Sequence, residues 1–150
     1  MGAMVFGAKG AAMLISTKGR YALRLMIDVA LNARSGPVSI REISQRQDMP
    51  LKYLEQLTRS LVKAELLNST RGQRGGYTLS RPAGQITAGQ ILRAAEGDVA
   101  PTYCLEEGAK ECPRAQMCST LDFWKGLDRV IDEYLDGYTL EDLLSAPLRC

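Results

Sequence analysis

Cys104, Cys112 and Cys118 lie in one acidic, irregular segment at the spacing C-x7-C-x5-C, and Cys150 ends the chain. Thiolates clustered this way can ligate a metal or an iron–sulfur cluster, or serve as redox-active thiols. Structural zinc uses closer C-x2-4-C pairs and often histidine; neither occurs here, so zinc is disfavoured. A disulfide is the other reading, but nothing in the chain signals secretion, and thiols in a reducing compartment stay reduced. Three thiolates leave one coordination position to explain. Cys150, beyond Pro147, is either its source or a free terminal thiol.

The chain has 150 residues, 45% apolar and 24% charged, and no histidine. That absence removes Ser–His and Cys–His nucleophile pairs and histidine-ligated zinc, so the protein is not expected to be an enzyme or to take a small-molecule substrate. No stretch approaches the roughly 18 apolar residues of a transmembrane helix, and residues 1–13 lack a compact secretory core. A cytoplasmic protein with no membrane partner is expected. Residues 1–13, with a second start codon position at Met13, read as a disordered arm or an expression scar.

The net charge of +2 conceals a division. From Leu14 to Pro82 there are 12 basic against 5 acidic residues, and from Ala83 to Cys150 there are 6 basic against 12 acidic. A basic half joined to an acidic one is the footprint of a nucleic-acid-binding face attached to a part with another task.

The elements that would position these groups follow from periodicity. Apolar residues recur at helical steps from Lys18 to Ala33, with Ser16 and Thr17 as caps. After Ser35-Gly36-Pro37, Ser39 and Glu42 form a capping-box pattern opening a short helix to about Gln47. A third helix carries Leu51, Leu54, Leu57, Leu61 and Val62 on one face, with Lys52, Tyr53, Glu55, Gln56, Arg59 and Lys63 on the others. Helix, tight turn, helix is the geometry of DNA readers. Two strand-like runs, 66–70 and 77–80, then flank Arg71-Gly72-Gln73-Arg74-Gly75-Gly76, a hairpin placed where a wing belongs. Its glycines let the tip approach another surface, and its arginines suit phosphates or a minor groove.

A helix is expected over Thr87–Glu96, then an irregular loop over 97–118, too long for a mere connection in so small a domain. Ser119 is expected to cap a long helix whose stripe Leu121, Trp124, Leu127, Val130, Ile131, Tyr134 and Leu135 either packs on the chain's own core or forms a homodimer interface. A short helix over Leu140–Ser145 closes the chain. The fold expected is mainly α, a winged helix-turn-helix with a β-hairpin wing and a long C-terminal dimerisation helix. It divides into a DNA-binding domain (14–82), a linker helix and sensor loop (83–118), and a dimerisation helix with its tail (119–150).

The elements S-T-K-G-R-Y at 16–21, Y-L-E-Q-L at 53–57 and R-G-Q-R-G-G-Y at 71–77, followed by the three-cysteine loop and Trp124, resemble the bacterial winged-helix regulators that include IscR, NsrR and CymR, most of all the iron–sulfur type represented by IscR. The resemblance covers Leu14 to Ala146. It implies a homodimeric transcription factor, acting as a repressor, in which Cys104, Cys112 and Cys118 ligate a 2Fe–2S or 4Fe–4S cluster that the purified protein can lack. It also implies that the helix from Leu51 reads the major groove and that Glu55 discriminates bases. One departure stands out: the histidine expected three residues after the last cysteine is Leu121, which cannot ligate. Asp122, Ser119, Glu106, a partner subunit or an exogenous group is left to complete the shell, and an oxygen ligand there favours a labile cluster. Two alternatives share the DNA-binding module: a thiol-based redox or nitric oxide sensor without a cluster, and a CymR-like regulator controlled by a partner protein.

On this reading Lys18, Arg20, Arg59, Arg71 and Arg74 hold phosphates, while Tyr53, Glu55 and Gln56 face bases, Glu accepting from cytosine and Gln pairing with adenine. Tyr21, Ser39, Lys52, Gly72, Gly75, Gly76 and Tyr77 complete the DNA-facing set. Two copies place their reading helices about 34 Å apart, which calls for an imperfect palindrome in double-stranded DNA. The sensor loop is expected to lie between wing and dimer helix.

Overall fold

Ser16 opens helix α1 (Thr17–Asn32), its hydroxyl accepting from the Lys18 amide at 3.1 Å. This is a computed structural model that describes residues 15–146; the arm over residues 1–13 and Cys150, the candidate fourth thiolate, lie outside them. Helix α2 (Ile40–Gln47) begins with the expected capping box: Ser39 accepts from the Glu42 amide, and the Glu42 carboxylate accepts from the Ser39 amide at 2.8 Å. Donation from Ser39 holds the Glu42 carboxyl below the usual carboxylate range. The link to α3 (Leu51–Lys63) is short because Asp48 adopts a left-handed conformation (φ 51°), which a short polar side chain tolerates, and Ser44 donates to the Met49 carbonyl at 2.6 Å.

Helix α3 ends without glycine. Glu65 takes the left-handed position (φ 60°), and the Leu66 and Glu65 amides return to the Leu61 and Val62 carbonyls, the hydrogen-bond pattern that closes many helices. The Glu65 carbonyl is strapped by the Ser80 hydroxyl (2.6 Å) and Arg81 (3.1 Å), which offsets the strain. Strands β1 (Leu67–Thr70) and β2 (Gly76–Leu79) pair antiparallel with Leu67 opposite Leu79 and Ser69 opposite Tyr77. Val38 extends this ladder by exchanging both backbone hydrogen bonds with Tyr77, at 2.9 and 2.8 Å. Helix α4 (Ala88–Glu96) starts on a Thr87–Gln90 capping box, and the loop that follows contains only single helical turns at Tyr103–Leu105 and Ala115–Met117.

Helices α5 (Leu121–Gly137) and α6 (Leu140–Ser145) complete the chain. The cap of α5 differs from expectation. Thr120, not Ser119, occupies that position and makes no side-chain capping bond, because its hydroxyl turns toward the Cys118 sulfur at 3.5 Å. A fully buried core gathers Leu25 and Met26 of α1, Ile43, Leu54, Leu61, Ile91 and Leu140. Each such side chain contributes about 1.5–3 kcal/mol. Leu51 departs from its expected inward face: at 38% exposure it stands on the first turn of α3, past the edge of the core. Leu140 brings α6 back onto α1, and its amide donates to the Ile86 carbonyl at 2.8 Å.

Candidate nucleic-acid interface and cysteine loop

Burial of Leu54, Leu57, Thr58 and Leu61 turns the opposite side of α3 outward, and that side carries Lys52, Glu55, Gln56 and Arg59, all exposed. Arg71 and Arg74 stand exposed on the wing, and Lys18 and Arg20 at the start of α1. Ion pairs among the described residues involve only Arg46, Arg93 and Arg129 as cations, so these six cations remain available to an outside anion. Three other cations of the basic half serve the fold. Arg46 pairs at 2.7 Å with Asp28, which is 2% exposed; Arg24 donates to Gln47; Arg81 donates to the Glu65 and Gln85 carbonyls. The count of basic residues therefore overstates the charge free to meet DNA.

Tyr21 and Tyr53 are half-buried and packed edge-to-face, 5.5 Å between centroids, with Arg24 over the Tyr21 ring at 5.6 Å. Burial pushes the Tyr53 hydroxyl up, assisted by Glu96 and Tyr21, so it stays protonated and can donate. The pair joins α1 to the α1-facing edge of α3. Ser39 is half-buried and engaged as the α2 cap.

The wing glycines divide by role. Gly72 (φ 111°) has open space around it and serves the turn. At Gly76 a Cβ would lie 2.4 Å from the Val38 carbonyl oxygen, and at Gly75 it would lie 2.3 Å from that of Thr70. At these two positions the surface approached closely is the chain's own backbone. Between wing and α3 runs a groove of about 300 Å³ lined by Thr58, Arg59, Val62, Lys63, Ser69 and Tyr77. Lys63, which the helical period puts on a polar face of α3, and Ser69 of β1 line this groove beside Arg59.

Cys104, Cys112 and Cys118 are free and exposed, and among the described residues no group of three or more Cys, Asp or Glu side chains is gathered to hold a metal. Their chemistry suits soft metal ligation; the loop keeps them apart. Asp98 anchors its start, accepting from the Ala100 amide at 2.9 Å and from the Glu107 amide. The turn at Tyr103–Leu105 packs on α5, whereas the wing packs on α1, α3 and the turn at Ala33–Ser35. This turn thus seats the first part of the loop on α5, the helix expected to carry the dimer. Ser119 and Asp122 are exposed beside Cys118, Leu121 is the first residue of α5, and Glu106 holds a buried carboxylate oxygen without a partner.

Hydrogen bonding from Thr120, with the Leu121 amide and the Arg114 charge in support, holds the Cys118 thiol below its ordinary range. The uncapped start of α5 supplies these amides. In the iron-free protein, alkylation of Cys118 is therefore expected to rise with pH at a midpoint below that of free cysteine, and Thr120→Val to raise that midpoint. Mass-spectrometric rate profiles against pH test this; a midpoint at or above that of the free thiol contradicts it.

Arg93 of α4 fastens α5 by donating to Asp132 (2.7 Å) and Asp136 (2.8 Å), which holds the Asp136 carboxyl down; Gly89 leaves room for that carboxylate. No residue of α5 is buried within one chain. Leu121, Trp124, Leu127, Ile131 and Leu135 are half-buried, while Val130 (56%) and Tyr134 (64%) are exposed together with Phe123 and Tyr138. Phe123 extends the stripe and was not part of the seam read from the sequence.

The profile of the Rrf2 family, described as iron-dependent transcriptional regulators, matches residues 15–146. The helix-turn-helix regulator IscR of Sodalis glossinidius is 43% identical over 133 residues, 89% of this chain and 79% of that protein. Among solved structures, CymR, the global cysteine regulator of B. subtilis, superposes with a TM-score of 0.71 at 40% identity, covering 88% of this chain and 96% of that one. IscR of T. potens superposes with a TM-score of 0.67 at 38% identity, covering 86% and 84%. These relatives are regulators of transcription and not enzymes. With a winged helix in place and the family match running from Ile15 to Ala146, the chain belongs to the Rrf2 family of DNA-binding transcriptional regulators.

Proposed function

We propose that the protein is a homodimer that binds an imperfect palindrome as a repressor and senses iron–sulfur or redox status through Cys104, Cys112 and Cys118. The observation carrying this reading is the pairing of two features: unpaired cations on α1, α3 and the wing, and three free thiols on a loop seated on α5. Lys18, Arg20, Lys52, Arg59, Arg71 and Arg74 hold phosphates and set register; Glu55 and Gln56 face base edges, with Tyr53 donating beside them. Two α5 helices cover each other's apolar stripes and space the reading heads by one turn of DNA.

The three thiolates fit an iron–sulfur cluster by donor type, and Ser119, Asp122 or Glu106 offers an oxygen ligand within the same chain. A bound cluster would supply iron–thiolate bonds joining three points of the loop. Drawing the three side chains into one shell moves Cys104, Cys112 and Cys118 from their present exposed positions, and Gly97 (φ 88°), where α4 ends, absorbs that movement. Footprinting of iron-free and anaerobically reconstituted protein on one promoter set tests the reading. Different binding profiles are expected, and identical ones overturn sensing through a cluster.

The separation and exposure of the thiols favour a second reading, in which oxidation or nitrosation of the thiols is itself the signal. Bound iron, sulfide and visible absorbance after reconstitution separate the two.

On the DNA side, Arg71→Ala or Arg74→Ala is expected to weaken binding to most sequences and to lower the slope of log affinity against log salt by about one unit each. Glu55→Ala is expected to relax base preference and leave the slope unchanged. Salt titrations on matched duplexes check both; an unchanged slope in Arg71→Ala contradicts the wing assignment.

A further inference from the structure

Glu96, the last residue of α4, has no part in the DNA-reading surface, yet its carboxylate completes the start of α1. Oε1 accepts from the Ser16 amide (2.8 Å), the Ser16 hydroxyl (2.7 Å) and the Gly19 amide (2.8 Å), and Oε2 lies 2.8 Å from the same hydroxyl. A helix start leaves its first amides unpaired and carries partial positive charge, so a carboxylate here is held by charge-assisted bonds. Gly19 makes the approach possible: a Cβ there would meet Glu96 Oε1 at 2.7 Å and Leu92 Cδ2 at 3.0 Å. The cap lies 80 residues from the helix it finishes.

Lys18 and Arg20 flank Gly19 on the exposed side, and Tyr21 follows with its ring against Tyr53 of α3. On the other side Gly97 and Asp98 begin the cysteine loop directly after Glu96. One carboxylate therefore joins the base of that loop to the phosphate-facing end of α1.

We infer that Glu96 is a positioning residue for DNA binding: it holds the start of α1 so that Lys18 and Arg20 reach the backbone, and it ties that end of α1 to the base of the cysteine loop. The inference rests on the DNA-binding reading above. The test uses the full chain, with Glu96→Gln and Glu96→Ala each made alone, with Lys18→Ala, and with Arg71→Ala as a remote control. Affinity for short mixed-sequence duplex DNA is measured over a range of salt. Glu96→Ala is expected to weaken binding about fivefold or more and to lower the salt slope by about one to two units, as loss of one or two phosphate contacts does. Lys18→Ala is expected to add little in the Glu96 background, whereas Arg71→Ala adds its full factor, because only coupled sites depart from additivity. Glu96→Gln preserves shape should the alanine variant fail to fold, and is expected to show the same coupling to Lys18 more weakly. Full additivity of Glu96 and Lys18 changes in a folded variant overturns the inference. If neither Lys18→Ala nor Arg71→Ala alone alters binding, the DNA-facing reading falls and this inference falls with it.

Discussion

Anaerobic reconstitution of a variant with Cys104, Cys112 and Cys118 all changed to alanine is expected to leave no bound iron, no sulfide and no visible absorbance, where the unmodified chain acquires all three. Of the remaining ligand candidates, Ser119, Asp122 and Glu106 offer oxygen and Cys150 a single thiolate, whereas soft iron–sulfide units select several thiolates. The change should be silent for the fold. All three thiols are exposed and none belongs to the core, and surface substitutions of this kind usually fall within about 0.5 kcal/mol. Binding of mixed duplex by the iron-free variant should match that of the iron-free parent, because the cations of α1, α3 and the wing are untouched. A triple variant that still took up iron and sulfide would remove the loop from the sensing role.

Val130→Glu is expected to leave the chain monomeric by blocking the proposed α5 dimer, and to reduce affinity for a two-half-site operator by about a hundredfold to ten-thousandfold, the gain that linking two binding units supplies. Val130 is 56% exposed in the single chain, so a carboxylate there is solvated and leaves the monomer folded. In a dimer built on α5, two such carboxylates enter an apolar seam beside Tyr134 and Leu127, and each unpaired charge costs several kcal/mol. Sedimentation reads the mass and a titration on duplexes carrying one or two half-sites reads the affinity. A variant that stays dimeric, with operator binding intact, would place the interface elsewhere.

Much of the architecture was legible because it is local. The Ser16 cap on the Lys18 amide and the Ser39–Glu42 box are hydrogen bonds within three residues, the hairpin pairs across one short glycine-rich turn with Thr70 opposite Gly76, and each forms as its spacing predicts. The outward face of α3 follows from the same rule, since burying Leu54, Leu57 and Leu61 leaves Glu55, Gln56 and Arg59 outside. Where local signals failed, a distant partner or an edge position intervened. Leu51 fits the apolar period but lies past the core; Glu65 replaces the usual glycine because Ser80 and Arg81 strap its carbonyl; Thr120 turns from α5 to Cys118.

Residue types and their spacing were enough to establish the winged helix-turn-helix, the basic reading half and the three-thiol loop, since periodicity, capping and charge are written in consecutive residues. Only the tertiary structure decided which groups those features leave free. It spent Arg46 on buried Asp28, assigned Gly75 and Gly76 to the chain's own backbone, kept the cysteines apart above α5, and set Glu96 against Ser16 across 80 residues. The physical reason is that a charge or a hydrogen-bond acceptor is committed by whatever lies within about 3 Å of it, and proximity at that scale between distant segments is settled by packing.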